Sequence, residues 1–332
     1  MELAGLLERA LQARAPLAAR LAAQGTDCWR LFHGAAEGRE GLTLDRYGDV
    51  ALVQTFREPL AAGELETLTA LVREHCPGVA HCVWNQRGPL ASTSEVEAAP
   101  AALEEREIRE GGVRLCFRAR HRGLDPWLFL DLRAGRRRCA ELAPGKSVLN
   151  LFAYTCGAGL AAAQAGAREV WNVDFAQSVL AVGMRSAQRN AIPSERISFV
   201  HEDVLPVLRQ LAGLPVKGRG SARPYLKLAA REFELVFLDP PAWSKGPFGA
   251  VDVARDYASL FKPALLATAR GGTVLATNHL AAVTRADFAA QLEACARKAG
   301  RPLSGIALLG PDEDFPARDG EAPLKIAVCH VA

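Results

Sequence analysis

The stretch from Ser147 to Gly159 constrains this chain more than any other. An apolar run, Val148-Leu149-Asn150-Leu151-Phe152, stops at Tyr154-Thr155-Cys156-Gly157-Ala158-Gly159 and gives way to Leu160-Ala161-Ala162-Ala163. Strand, tight turn and small-residue helix is how an α/β protein brings backbone amides up to a ligand. Downstream, Glu169-Val170-Trp171-Asn172-Val173-Asp174 ends a second strand on a carboxylate. The spacing is about that at which a nucleotide-binding unit sets an acid on a ribose hydroxyl pair. Together these features read as an adenosine-binding half-site.

The surrounding pattern is regular. Strands are expected at 147–152, 169–173, 196–200, 234–238 and 272–277, with helices at 158–166, 175–190, 203–212 and 252–269 between them. Such alternation means a parallel sheet covered on both faces. The end differs, with a helix over 284–299 and strands at 303–309 and 323–331. The turn lacks the Gly-x-Gly-x-x-Gly that admits a pyrophosphate, which argues against a dehydrogenase.

Ahead of this lies a different organisation. Residues 1–24 read as an Ala/Leu-rich amphipathic helix, 42–49 and 50–56 as a hairpin about a Gly-Asp turn, and 63–75 as a helix. With strands at 79–84 and 113–117, residues 1–115 form a small α+β domain, followed by a linking hairpin or cover at 116–145 and an α/β domain at 146–332. Within the link, residues 122–133 mix apolar bulk and charge without helical or strand period. They fit a cover over a cofactor pocket or a buried connector.

Composition narrows the class. At 332 residues, 49% hydrophobic and 23% charged, the chain is of ordinary globular make-up and long enough for two domains. No apolar run approaches the ~20 residues that span a bilayer. The acidic N-terminus lacks the basic region of a signal peptide, so a cytoplasmic location and no membrane partner are expected. The net charge of +3 is small, but Arg114, Arg118, Arg120, His121, Arg122, Arg133, Arg136, Arg137 and Arg138 crowd one segment. Lys217, Arg219, Arg223, Lys227 and Arg231 crowd another; each run reads as a phosphate-tracking surface or as a solvated face. The eight cysteines include no Cys-x-x-Cys. The doublets His75-Cys76 and His81-Cys82 are conceivable zinc ligands, but buried free thiols are the better reading, and no metal is expected.

A second constellation follows the strand at 234–238: Asp239-Pro240-Pro241-Ala242-Trp243. Proline lacks an N–H and drives the preceding residue out of the helical region, so the turn holds its carbonyls outward. They can accept from an exocyclic amine or a base edge while Trp243 offers a stacking face. A Pro-Pro that merely ends a strand is the plainer alternative.

Asn150-Leu-Phe-Ala-Tyr-Thr, Asp174, Asp203 and Asp239-Pro-Pro-Ala-Trp resemble motifs of the class I S-adenosylmethionine-dependent methyltransferases. More narrowly, the chain resembles the large-subunit ribosomal RNA methyltransferases that make 5-methylcytosine or N7-methylguanine. Phe129-Leu-Asp131-Leu-Arg133 is similar to that family's Phe-Leu-Asp-x-Arg element. Arg30-Leu-Phe-His-Gly34 with Gly41-Leu-Thr-Leu-Asp-Arg-Tyr-Gly-Asp49 is similar to its Arg-Leu-x-x-Gly and Gly-Leu-x-x-Asp-Arg-Tyr-Gly signature. The resemblance implies a Rossmann-like domain with a seven-stranded, mostly parallel sheet, S-adenosyl-L-methionine as cofactor, RNA (23S rRNA) as substrate, and a small N-terminal substrate-recognition domain. The terminal hairpin suits this variant of the doubly wound fold.

Residue by residue, the resemblance implies that Phe152, Tyr154, Thr155, Cys156 and Gly157 line the methionine and ribose. Asp174 would hold the ribose hydroxyls and Asp203 the adenine amine, with Phe175, Val204, Asn150, Phe129, Asp131, Arg133 and Asp239 also facing the cofactor. Asp239, Pro240 and Pro241 would meet the target nitrogen, Trp243 would stack on the base, and Asn278 and His279 would orient it; His279 as a plain strand-end residue stays open. Two departures stand out. Too few residues precede Arg30 for the RNA-binding PUA domain of some members, and Cys156 replaces the usual turn glycine, as a tolerated residue contacting cofactor and not as a nucleophile.

Methylating cytosine C5 requires a thiolate to add at C6. Members that do so carry a cysteine after the fifth strand, where this chain has Thr277-Asn278-His279, closer to the Ser-Asn-Asn of N7-guanine members. A nitrogen acceptor needs only alignment with the methyl group. The expected function is thus an RNA base methyltransferase acting at a nitrogen. A methyltransferase of protein or small molecules, and an RNA-binding protein that keeps the pocket without turnover, are the alternatives.

Overall fold

The computed structural model describes residues 3–87, 96–97, 99–121, 125–216, 224–246 and 248–332. They divide into two compact units, Met1–Asp131 with Asp312–Gly320, and Leu132–Pro311 with Glu321–Ala332. The division falls inside the expected link of 116–145. That segment is no separate hairpin: residues 116–117 end a strand, and Arg133–Leu142 form a helix. The return of 312–320 to the first unit has no periodic signature and was not expected.

In the first unit, α1 (Leu3–Ala23) is followed by β1 (Cys28–His33), the short α2 (Gly34–Glu37), β2 (Leu42–Tyr47), β3 (Val50–Thr55), α3 (Glu64–His75), β4 (His81–Gln86) and β5 (Val96–Glu97). The strands form one sheet in the order β1-β2-β3-β4-β5, antiparallel except for the β3–β4 pair that α3 connects. A separate hairpin pairs β6 (Arg106–Glu110) with β7 (Val113–Phe117). Leu3, Leu7, Leu11 and Leu21 of α1 pack with Leu31, Leu44 and Val53 of the sheet. β1 was not expected as a strand, because Trp29-Arg30-Leu31-Phe32 buries residues on both faces and so shows no alternation.

The signature residues of this unit are structural. Arg30 makes a two-pronged ion pair with Asp45 (2.8 and 3.0 Å), and Asp45 is fully buried. The Arg30 backbone N–H donates to Asp314 Oδ2 (3.0 Å), and Arg14 donates to the Asp314 carbonyl (3.1 Å). These bonds explain why 312–320 belongs here. Tyr47 stacks on Phe117 (4.1 Å between centroids) and donates its hydroxyl to the Leu128 carbonyl (2.9 Å).

The second unit runs α4 (Arg133–Leu142), β8 (Ser147–Leu151), α5 (Gly157–Gln164), β9 (Glu169–Asp174), α6 (Gln177–Arg189), β10 (Ile197–His201), α7 (Val204–Leu211) and β11 (Phe233–Leu238). There follow the hairpin β12 (Trp243–Gly246) and β13 (Gly249–Asp252), α8 (Val253–Asp256), α9 (Ala258–Leu266), β14 (Thr268–Asn278), α10 (Arg285–Lys298), β15 (Leu303–Leu309) and β16 (Lys325–Val331). The seven-stranded sheet has the order β10-β9-β8-β11-β14-β16-β15. Pairs from β10 to β14 are parallel, and β16 is antiparallel to both β14 and β15. This is the expected Rossmann-like sheet with its terminal hairpin. The expected helix over 252–269 is two helices meeting at Tyr257, and the β12–β13 hairpin is an addition.

The sheet is locked beneath the turn by a polar pair. Asn150 and Asn172 face each other in register, both buried, with Asn150 Nδ2 donating to Asn172 Oδ1 (2.9 Å). Helix α5 lies directly on this pair: a Cβ on Gly159 would stand 1.9 Å from Asn172 Oδ1. Gly159→Ala is therefore predicted to destabilise the fold by about 1–3 kcal/mol, the usual cost of overpacking. A urea melt checks this; an unchanged midpoint would contradict the packing.

Candidate cofactor and acceptor site

The chain passes from β8 out to β9 and β10 on one side, then crosses to β11 and β14 on the other. The switch point therefore lies between β8 and β11, where ligands of open α/β sheets bind outside the carboxyl ends of the strands. Register shows what gathers there. Leu151 pairs with Val173, His201 with Asp174, and Leu238 with both Leu151 and Ala276. Phe152, Asp174, Asp239 and Thr277 thus leave neighbouring strands at one level.

The turn after β8 is strained. Phe152, Tyr154 and Cys156 have φ of 57, 48 and 67°, all in the left-handed region that non-glycine residues disfavour. Each such residue costs on the order of 1 kcal/mol or more and persists only where its surroundings over-determine it. Asp174 supplies that determination. Its Oδ2 accepts the Tyr154 N–H (2.9 Å) and its Oδ1 the Ala176 N–H (2.9 Å). Cys156 caps α5 with its thiol fully buried, so close to α6 that a Cβ on Gly183 would lie 2.6 Å from Sγ. Burial, and secondarily the Asp174 charge, push this thiol well above its ordinary pKa, so it is no nucleophile. Cys156 was expected as a turn residue that contacts cofactor; its thiol is packed against α6, which leaves its backbone for any such contact.

The second acid caps the next helix. Asp203 Oδ1 accepts the Leu205 N–H at the start of α7 (2.9 Å), and Oδ2 accepts the Phe248 N–H (3.3 Å). A Cβ on Gly246 would lie 2.4 Å from Asp203 Oδ2, so the β12–β13 hairpin rests on this carboxylate. Asp174 and Asp203 are both buried, and burial raises the pKa of each despite the amide donors. A buried carboxylate is stabilised by further donors, and adenosine brings ribose hydroxyls and an amine. Phe175, beside Asp174, is half exposed and apolar. These residues fit an adenosine cofactor.

At the acceptor end, Asp239 follows β11 with one-fifth of its side chain exposed. Its Oδ1 accepts from both Thr277 Oγ1 and His279 Nε2 (2.9 Å to the imidazole). The buried Tyr257 hydroxyl donates to the Thr277 carbonyl (2.8 Å), fixing the end of β14. Pro240 is buried, Pro241 exposed, and Trp243 63% exposed. Asn278, expected to orient the base, is buried; its Oδ1 accepts the Leu280 N–H (2.9 Å), and its Nδ2 is buried with no hydrogen-bond partner among the described residues. Thr277 has no role in the sequence reading; it opposes Asp239 because Leu238 pairs with Ala276, a register that only the structure shows.

Other expected residues sit elsewhere. Asn150 lies within the sheet under the turn, and Val204 and Phe152 pack on the core. Phe129 and Asp131 belong to the first unit, while Arg133 is buried at the start of α4 in the second. The site is built here from the second unit alone. Some members of the basic runs are engaged within the protein: Arg133 and Arg136 are buried, Arg138 pairs with Glu141, and Arg231 pairs with Glu169 and stacks on Trp171 and Phe233. Arg122, Lys217, Arg219 and Arg223 lie outside the described residues. At the His-Cys doublets, burial raises the pKa of Cys76 and Cys82. Among the described residues no three metal-ligating groups come together.

The family model for S-adenosylmethionine-dependent methyltransferases matches residues 29–330. The chain belongs to that family, and S-adenosylmethionine is its cofactor. It is 28% identical over 309 residues to a ribosomal RNA large subunit methyltransferase I of Aeromonas hydrophila, covering 88% of this chain and 71% of that protein. It is 32% identical over 264 residues to a ribosomal RNA large subunit methyltransferase K/L of Chromohalobacter salexigens, covering 77% of this chain but 33% of that protein. The fold matches a solved structure of a proposed SAM-dependent methyltransferase from Streptococcus mutans, with TM-score 0.78, 23% identity, and coverage of 99% of this chain and 80% of that one.

Asp174→Ala is predicted to weaken S-adenosylhomocysteine binding at least about tenfold, since hydrogen bonds to charged groups are worth ~1.5–3 kcal/mol. Titration calorimetry checks it; full affinity would remove the assignment. Both acids accept as carboxylates, so affinity is expected to hold near neutrality and fall as pH drops through their raised folded values, above the ordinary aspartate range.

Proposed function

We propose that this chain transfers the methyl group of S-adenosylmethionine to a base nitrogen of RNA, specifically the 23S RNA of the large ribosomal subunit, and not to cytosine C5. The RNA reading is supported by relatives named for ribosomal RNA of the large subunit. The nitrogen preference is carried by one observation: Asp239, Thr277 and His279 occupy the reacting end of the sheet, and no thiol stands among them. Carbon-5 chemistry needs an exposed thiolate. The one cysteine of the neighbouring turn, Cys156, is fully buried with its pKa raised.

The remaining roles follow in the same reading. Tyr154, Thr155 and Gly157 present the turn before α5 to the methionine and ribose, since a helix N-terminus suits a polar ligand. Asp174 holds the ribose and Asp203 the adenine. Trp243, whose indole is the most exposed of the large apolar side chains among the described residues, stacks on the base. The first unit recognises the RNA around the target. Ribosomal RNA as substrate implies a cytoplasmic protein; no helix among the described residues is long and apolar enough to cross a membrane.

Tritiated-methyl transfer to ribosomal RNA from cells lacking this protein is expected to label RNA; label confined to protein would overturn the reading. RNA carrying 5-fluorocytosine, which traps a cysteine adduct because fluorine cannot leave as a proton does, is expected to give no covalent complex on a denaturing gel. A trapped complex would overturn the nitrogen preference.

A further inference from the structure

Lysine is seldom fully buried, yet Lys325 at the start of β16 is only 1% exposed. Its ammonium donates to the Leu280 carbonyl, and among the described residues no carboxylate lies within ion-pair distance of it. Burial lowers its pKa against the opposing pull of the Glu321 charge. Taking a charge out of water without a counter-charge is strongly unfavourable, and an apolar side chain of the same length would fill the place without that penalty. Packing alone therefore does not account for a lysine here.

What the lysine holds lies beside the acceptor end. Asn278 and Lys325 stand opposite one another in the β14–β16 register, so their side chains leave the sheet on the same face. Both reach Leu280, the second residue beyond β14. Asn278 Oδ1 accepts the Leu280 N–H (2.9 Å), and the Leu280 carbonyl accepts from Lys325 Nζ and from the Val283 N–H (3.1 Å). The Leu280 side chain packs on the core, so this residue is held at both backbone groups and at its side chain. His279 sits between the end of β14 and this clamp, with its Nε2 on Asp239 Oδ1 (2.9 Å). The imidazole is one-third exposed, so burial alone does not fix it. Resting on the RNA base methyltransferase reading, we propose that Lys325 is a positioning residue for methyl transfer. By holding the Leu280 carbonyl while Asn278 holds the N–H, it sets the backbone of His279 and so the imidazole against Asp239. No proton or electron pair passes through the lysine. Its effect is one of alignment, where a misplacement of about 1 Å can cost about 100-fold in rate.

Lys325→Met in the full chain tests this, since it keeps the length of the side chain and removes its donor and charge. The kcat on RNA is expected to fall about tenfold or more. KM for RNA and affinity for S-adenosylhomocysteine should stay within about threefold. Urea should unfold the variant at the same or a higher concentration, as when a buried charge gives way to an apolar group. A lower urea midpoint with kcat unchanged would make Lys325 an anchor of the fold and overturn the proposal, as would a rise in KM alone. Adding Lys325→Met to His279→Ala should cost no further rate, because residues that act as a unit are not additive. A further loss as large as that in the wild-type background would overturn the proposal. Should Lys325→Met not fold, Asn278→Ala frees the other side of Leu280 and is read in its place. The same loss of kcat, absent in the His279→Ala background, is then expected, and an unchanged kcat would overturn the proposal. A wild-type chain that labels no RNA removes the RNA reading and this proposal with it; labelled RNA with an unaltered Lys325→Met kcat removes this proposal alone.

Discussion

Two hydrogen bonds hold the working end of this protein together: the Tyr154 and Ala176 amides on the two oxygens of Asp174. Three left-handed non-glycine residues in one turn are a conformation that the local sequence does not favour. A buried carboxylate two strands' length away in sequence imposes it. The same burial raises the pKa of that carboxyl, leaving it in want of donors. Strain in the turn and need in the acid meet in one arrangement, and adenosine hydroxyls suit both. The Asn150–Asn172 pair beneath, with Gly159 packed on it, sets how far helix α5 can approach and so where the turn sits.

The acceptor end follows the same logic on the other side of the switch point. Asp239 is held by residues at the end of β14, and β14 is in turn pinned by Tyr257 from the junction of α8 and α9. The β12–β13 hairpin connects the two ends. It begins at Trp243, beside the target base in the reading above, and at Gly246 and Phe248 it rests on Asp203. In the proposed reading this short ribbon touches both the cofactor acid and the base platform and would keep methyl donor and acceptor in one geometry, where alignment carries most of the rate.

Much of this was legible in the residues themselves. The strand–turn–helix at 147–164, the acids at Asp174 and Asp203 and the Asp-Pro-Pro turn are local in sequence, and each lies where its strand ends. The terminal hairpin was legible because β15 and β16 follow a helix that adds no parallel strand. What was not legible depends on pairs distant in the chain. Asn150 was expected to face the cofactor, but its side chain is paired with Asn172 across the sheet. Cys156 stands in the turn by sequence, but that its thiol packs against Gly183 of another helix could not be read there. The arginines of 114–138 looked like one basic run, but they divide between two units, and Arg133 and Arg136 are buried. The segment 312–320 carries no period at all, and only the bonds from Arg14 and Arg30 to Asp314 explain its place. Local sequence shows which residues stand at strand ends, and does not show which side chains a remote neighbour claims.

A crystal structure of the chain with S-adenosylhomocysteine tests the central claim, that the carboxyl ends of the strands divide into a cofactor side and an acceptor side. It should show the ribose hydroxyls on Asp174, the adenine amine beside Asp203, and the sulfur facing the Asp239–Pro240–Pro241 edge. An adenosine seated away from Asp174, or a sulfur turned from Asp239, would contradict it.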